Sequence, residues 1–507
     1  MSGPSRRSAR ARFEPVVARR LVIALWSLLA MAIVAGCRPS PNVPEPAQGE
    51  EVASSRVDPA SAPLDRTHAA QGDTTADDAL HAQAALNNAA AQDDRAAQDD
   101  DEPNHTAAPN HTAAHDDRAA HTLGNGAPLA TTPVADPAPP AAPRPLDESE
   151  LAIGADFGAP PDAWPLFRGD PRSTGYSQSA LPDELSLLWR QRPENATFEA
   201  TAAIAEGRVF VGSLSGPLYA LHLETGEPIW TFETELGFYA APAVRDGRLY
   251  IGDANGMFYC LDAASGELIW QFESRAEVDA GANFYRDCVL FGSQDATLYC
   301  LRAADGELVW TYEIEDQIRC APTVVADRAF IAGCDSKLHI VDLTRGESLA
   351  RVDIRSQTGC TAAVLGPLAF FGTEGDLFYS VDWQQAEVRW SYRHPTRRFP
   401  YRSSAAVTPE AVVVGGRNKL IEAFDPRSGE LLWSFAARGR VDASPVIVGS
   451  RVYVGSADGR LYGLDLATGQ LVWEYEAGGG FTASPAVASG RLVVGTGDGQ
   501  LLCFGAQ

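Results

Sequence analysis

The sequence carries no excess of basic charge, no long apolar N-terminal run and no two adjacent cysteines. The first absence excludes a function class. Lys and Arg number 41 against 66 Asp and Glu, for a formal net charge of −25. A surface of that sign does not gather phosphates, so nucleic acid is not an expected partner. Much of the acidity falls in a low-complexity stretch, so it bears on solubility more than on a site. The apolar run from Leu21 to Ala35 is shorter than the ~18–20 residues of a spanning helix. Arg38 and several prolines follow it at once.

What stands at the N-terminus is a leader. Arg6, Arg7, Arg10, Arg12, Arg19 and Arg20 precede the apolar run, and Val34-Ala35-Gly36-Cys37 ends it. A basic start, a short apolar core and small residues at its end describe a secretory signal peptide over residues 1–36. The last four residues resemble the lipobox of bacterial lipoproteins, which implies a mature chain beginning at a lipid-bearing Cys37. Each buried CH₂ contributes about 0.8 kcal/mol, so two or three acyl chains hold a protein firmly on a bilayer.

Residues 37–160 are rich in Ala, Asp, Pro, Gln and His and poor in aromatic and β-branched residues. The stretch also repeats itself. Asp93-Asp94-Arg95-Ala96-Ala97 recurs from Asp116, and Pro-Asn-His-Thr-Ala-Ala starts at both Pro103 and Pro109. Such a segment cannot bury enough apolar surface to offset its ordering entropy, and it is expected to be a disordered tether. At 5–6 Å × √n, its root-mean-square reach is about 60 Å.

The rest is periodic. Arg451-Val-Tyr-Val-Gly-Ser, Asp458-Gly459, Leu461-Tyr-Gly-Leu-Asp, Thr468-Gly469 and Leu471-Val-Trp-Glu-Tyr make one unit, and a similar one starts at Phe481. Short β-rich runs punctuated by Gly, Asp and Ser at hairpin spacing are antiparallel strands. Four of them in about 40 residues make a propeller blade. Trp189, Trp230, Trp270, Trp310, Trp390, Trp433 and Trp473 mark the period, with Ala350 in the one empty slot. Ser186 to Gln191 matches only the last strand of a unit and Phe481 to Phe504 only the first three. Together they complete an eighth blade and leave no free edge. The predicted fold is all-β, an eight-bladed propeller over residues 185–507 with a lead-in segment at 161–184 that packs against it.

The runs Asp262-Ala-Ala-Ser-Gly-Glu-Leu-Ile-Trp270 and Asp465-Leu-Ala-Thr-Gly-Gln-Leu-Val-Trp473 resemble the tryptophan-docking motif of pyrroloquinoline-quinone (PQQ) dehydrogenases. That resemblance implies that the tryptophans pack between blades. It implies nothing catalytic here, because those enzymes hold their quinone beside a disulfide of neighbouring cysteines and this chain has no such pair. A calcium site and a catalytic aspartate do not map onto it either. Lipobox, tether and eight-bladed propeller together resemble the propeller lipoproteins of the bacterial outer-membrane barrel-assembly machinery. That family implies a non-catalytic propeller docked on a barrel-forming protein.

Three constellations remain. Cys320, Cys334 and Cys360 fall near the axis of adjacent blades; buried thiols, a disulfide within the trio and a metal or redox site are the open readings. The starts of the innermost strands align as a funnel ring of Glu199, Tyr239, Asp279, Arg319, Gly359, Arg402, Asp442 and Thr482. Opposite charges then fall in adjacent blades at Asp279–Arg319 and Arg402–Asp442, either as solvated pairs or as a ligand site. A three-residue insertion coincides with Arg393, His394, Arg397, Arg398, Phe399, Tyr401 and Arg402, a basic and aromatic loop that is either solvated or a partner anchor.

The sequence therefore predicts a non-catalytic scaffold, monomeric and without a cofactor. It is lipid-anchored in the bacterial envelope, on the periplasmic side of the outer membrane, and its partners are envelope or outer-membrane proteins. The alternatives are a PQQ- or metal-dependent oxidoreductase and a carbohydrate- or small-ligand-binding propeller.

Overall fold

The computed structural model describes residue 146 and residues 148–507 apart from 155. The leader, Cys37 and nearly all of the tether lie outside the described residues. Eight antiparallel sheets follow one another along the chain, and the fold is the eight-bladed propeller. Blade 1 is built from Ala203–Ala205, Arg208–Gly212, Pro217–His222 and Pro228–Glu233, paired in sequence order. Glu206 and Gly207 between its first two strands both have positive φ (53° and 72°), the geometry that lets a two-residue turn follow the strand twist. The second and third strands of a blade are buried on both faces, whereas the outermost alternates between exposed and half-buried residues. Blades 2 to 7 occupy 243–273, 283–313, 323–353, 363–392, 406–436 and 446–476.

The ring closes with its two ends. Ser186–Gln191 pairs antiparallel with Leu501–Gly505, Trp189 facing Cys503, so the eighth blade takes three strands from the C-terminus and one from the N-terminal side. The marker tryptophans join blade to blade. The indole N–H of Trp189, Trp230, Trp270, Trp390, Trp433 and Trp473 donates to a backbone carbonyl of the following blade or its lead-in, at 2.8–3.2 Å. Ala350 keeps the register, facing Ile340 as Trp270 faces Cys260. Trp383 of the next blade lies 5.5 Å from Phe330 on that side.

The lead-in is a structural member rather than a surface decoration. It runs round the ends of the innermost strands opposite the funnel and supplies one carbonyl after another. Val244 N–H donates to Pro165, Val324 to Pro171, Val364 to Arg172, Val407 to Thr174, Ile447 to Gly175 and Ser489 to Pro161. Tyr176–Ser177 adds a short parallel strand to blade 7, making that sheet five-stranded. Trp164 is fully buried. Arg168 is too, and its Nη2 reaches the carbonyls of Ala405 and Pro445. Burial lowers its pKa to about 9, opposed by Asp170. Packing begins earlier than the expected lead-in at 161. Glu148–Leu151 forms a 3₁₀ turn, and Leu151 and Phe157 are buried against blades 5 and 6. Isolated apolar residues disappear in the composition of a long Ala- and Pro-rich stretch, yet these two pack into the ring, and the Asp156–Arg172 pair at 3.0 Å adds to their hold.

Candidate functional site

The eight aligned positions meet round one well of about 180 Å³. Glu199, Tyr239, Asp279 and Arg319 take one half of its rim, and Gly359, Arg402, Asp442 and Thr482 the other. Phe167 of the lead-in enters from below and lines the well. A Cβ on Gly281 would stand 3.0 Å from that of Phe167, so the missing side chain makes room for the ring.

One layer below the rim, from blade 4 round to blade 1, the backbone of one blade is tied to the next by a hydroxyl. Ala321 N–H donates to Thr361 Oγ1, Thr361 to Ser404, Ser404 to Ser444, Ser444 to Ser484 and Ser484 to Thr201, at 2.9–3.3 Å. The chain stops at Ala241, Gly281 and Ala321, whose side chains carry no oxygen.

The charges of the rim pair as expected in one place and not in the other. Arg319 Nε lies 3.6 Å from Asp279 Oδ2, which also accepts from Gln294 Nε2 at 2.5 Å. Burial still holds the Asp279 carboxyl above the usual carboxylate range, with Arg319 opposing. Arg402, however, does not pair with Asp442. It grips Glu374 with two bonds of 2.7 and 3.2 Å, while Asp442 is held by Arg417 at 2.9 and 3.0 Å and by Arg440 at 3.0 Å. Glu374 and Arg417 sit on hairpin turns that stand beside the rim. Those turns, rather than the adjacent blade's rim residue, supply the nearer partner.

The basic loop divides into two parts. Arg398 and Phe399 are exposed, Phe399 at 51%. Arg397 is exposed, its amide donating to His394 Nδ1 at 2.9 Å. Arg393 is held by Asp376 at 2.7 Å. Beside it runs a groove of about 550 Å³ lined by Arg355, Leu377, Tyr379, Val388 and Arg393. Tyr401, expected in the loop's contact surface, is instead 1% exposed and belongs to the core. Its hydroxyl donates to the buried Glu422 carboxylate at 2.9 Å, joined by Tyr392 at 3.2 Å and Asn418 at 3.4 Å. Burial and that carboxylate push the phenol pKa strongly upward. The repeat contained the signal. Each rim residue follows a buried position, Phe198, Phe238, Val278, Ile318, Val441 and Phe481 elsewhere, and Tyr401 stands in that position before Arg402.

Cys320, Cys334 and Cys360 are free thiols, so the disulfide reading does not hold. Cys320 and Cys360 are buried, and burial raises both to about 12. Cys360 Sγ donates to the Tyr401 carbonyl at 3.1 Å. Among the described residues no cluster of three His, Cys, Asp or Glu side chains has metal-binding geometry. The sequence pattern gave no sign of His339. Its Nε2 lies 2.9 Å from Asp335 and its Nδ1 2.9 Å from Tyr312 Oη. The set has the look of a proton relay, but Tyr299–Asp295 and Tyr462–Asp458 pair at the same spacing in blades 3 and 7. His339 therefore replaces a tyrosine in a repeated turn lock.

Residues 183–278, 254–419 and 417–507 match the family described as outer membrane protein assembly factor BamB. Among curated proteins none matches the sequence. The crystal structure of BamB from Moraxella catarrhalis superposes with a TM-score of 0.55 at 20% identity, covering 64% of this chain and 98% of that one. Quinohemoprotein alcohol dehydrogenase from Comamonas testosteroni gives 0.59 at 15% identity, over 71% and 83%. The computationally designed protein Ika8 gives 0.57 at 16%, over 63% and 99%. At these identities the likenesses show the fold alone. The quinone that the dehydrogenase fold implies does not fit the residues present. The chain has no adjacent cysteine pair, and its own Phe167 lines the well below the rim.

Proposed function

Because the chain belongs to the family of the outer membrane protein assembly factor BamB, we propose that it is a non-catalytic scaffold whose propeller docks proteins destined for, or resident in, the outer membrane. The observation that carries the reading is the extent of the family match, which runs through all eight blades. The docking face is the one that holds the rim of the well, the loop from Arg393 to Arg402 and the groove beside it. It offers exposed cations and an exposed Phe399 on an otherwise acidic chain, the mixed chemistry in which partner contacts concentrate. Acyl chains on Cys37 hold the protein to the periplasmic side of the outer membrane, and the tether gives the propeller its reach.

The test is crosslinking in intact cells with the whole chain as bait, followed by identification of the captured proteins. Components of the barrel-assembly machinery or nascent outer-membrane proteins are the expected catch. Their consistent absence, with recovery of soluble enzymes or wall fragments instead, would overturn the scaffold reading.

A further inference from the structure

The acidic sector of the well has features that docking does not require. Around the rim most charges are already matched, since Arg402 is gripped by Glu374 and Asp442 by Arg417 and Arg440. Two are matched less completely. Glu199 makes no ion pair among the described residues, and the Arg440 charge acts on it only from a distance. Asp279 is partnered on one oxygen only, and its Oδ1 is buried without a hydrogen-bond donor. Such an acceptor is costly to leave unmet. Tyr239, 49% exposed, stands on the rim between these two carboxylates, and Phe167 lines the well below. Two carboxylates and two aromatic rings round one small cavity make the environment that receives an ammonium group, through charge and the negative face of the rings.

A second observation lies one layer down in the same sector. The hydroxyl chain that satisfies the inner-strand amides of blades 4 to 8 is broken here. The N–H groups of Thr201, Ala241 and Gly281 have no acceptor among the described residues. Thr201 and Ala241 are buried, and all three residues line the well. Donors below and carboxylates above ask for a ligand that presents oxygen acceptors next to a cationic nitrogen.

We propose that the sector formed by Glu199, Tyr239 and Asp279 above Phe167 binds a small molecule bearing a protonated primary amine beside hydroxyl or carbonyl oxygens, the chemistry of an amino sugar. Arg319, which reaches Asp279 across 3.6 Å from a half-exposed position, is the internal competitor that the amine displaces. The site shares the face proposed for docking but goes beyond that reading, since docking needs no ligand in the well.

The probes are D-glucosamine, D-glucose and N-acetyl-D-glucosamine, titrated calorimetrically into the purified full chain. The second and third keep the ring oxygens and remove the cation. Glucosamine is expected to bind saturably, at least tenfold more tightly than either control. Asp279→Asn and Glu199→Gln should each weaken it about tenfold, and Arg319→Ala should strengthen it, with thermal unfolding confirming that every variant is folded. Affinity should fall as the solution is acidified and the two carboxyls take up protons. Equal binding of glucosamine and glucose, no saturable binding of glucosamine, or full affinity in the folded Asp279→Asn protein would overturn the proposal. Crosslinked capture is read on the wild-type chain without any added ligand, so a failed titration overturns the amine site and leaves the scaffold reading to be judged on that experiment alone.

Discussion

Trp270 of blade 2 lies over Gly306 of blade 3, so closely that a Cβ on the glycine would stand 2.6 Å from the indole ring. The same contact joins Trp189 to Gly226, Trp310 to Gly346 and Trp433 to Gly469. Gly306 also has a φ of +74°, a conformation that costs a residue with a side chain roughly 1–2 kcal/mol. Gly306→Ala should therefore destabilise the propeller by about 2–3 kcal/mol, strain and displaced indole together. Trp270→Ala should cost about 3–5 kcal/mol as a large buried aromatic. The slot that lacks a tryptophan supplies the control. Ala350 stands there, and the corresponding turn residue of blade 5 is Ala386, with a φ of +56°. Because position 350 carries no indole to lie over it, Ala386→Gly should change stability by less than about 1 kcal/mol. Urea unfolding of the three variants separates these cases.

That coupling explains why the fold was so legible. Tryptophan, the Gly before it and the hairpin glycines are each needed by local geometry, so they recur at the repeat spacing and count the blades. The two incomplete ends announced the closure. What escaped depends on neighbours that the period does not reveal. Arg402 finds Glu374 because a hairpin turn stands beside the rim, and no spacing in the sequence places that turn. Tyr401 read as a loop aromatic because the insertion before it hid its alignment with Phe238 and Val441. The lead-in works through its carbonyls, which any residue supplies, so Pro165, Pro171 and Arg172 carry no signal of the amides they meet.

His339 gives the structure a measurable pH dependence. Burial lowers its pKa below the ordinary 6.5, with Asp335 opposing. Below that ordinary value the unfolded chain binds a proton that the native imidazole resists, so the contribution is present above about pH 6.5 and lost as the pH falls through it. The His339→Gln protein lacks this term. Its melting temperature, plotted from pH 8 to pH 5, should fall less steeply than that of the parent. Parallel profiles would show that His339 titrates alike in both states.

Cys37 is expected to matter for place and not for fold, because it lies more than a hundred residues before the first blade. Cys37→Ala should leave the melting temperature of the propeller unchanged and shift the protein from the membrane fraction to the soluble one. Continued sedimentation with membranes at high salt would mean that something other than acyl chains holds it.

The exposed end of the basic loop is where partner contact and fold are separable. Arg397 and Arg398 are exposed, and Arg397 is held by its amide and by one Nη1 contact of 3.4 Å to the Asn418 carbonyl. Reversing both charges therefore removes little from the native state; surface substitutions of this kind usually fall within about 0.5 kcal/mol. An acidic or carbonyl-rich partner face, by contrast, would meet repulsion where it had met two cations, and rim charges act strongly on encounter. Arg397→Glu combined with Arg398→Glu should keep the parent's melting temperature and lose most of the crosslinked partner, with a stronger loss at low salt than at high. Tyr401→Phe should do the reverse. It leaves the loop's exposed chemistry intact but takes one donor from the buried Glu422 carboxylate, at a cost of about 1–3 kcal/mol. Wild-type capture by the doubly reversed protein would move the docking site off this loop, while loss of capture in both variants at equal stability would place it in the buried hydrogen-bond cluster's influence on the rim rather than in the loop's own cations.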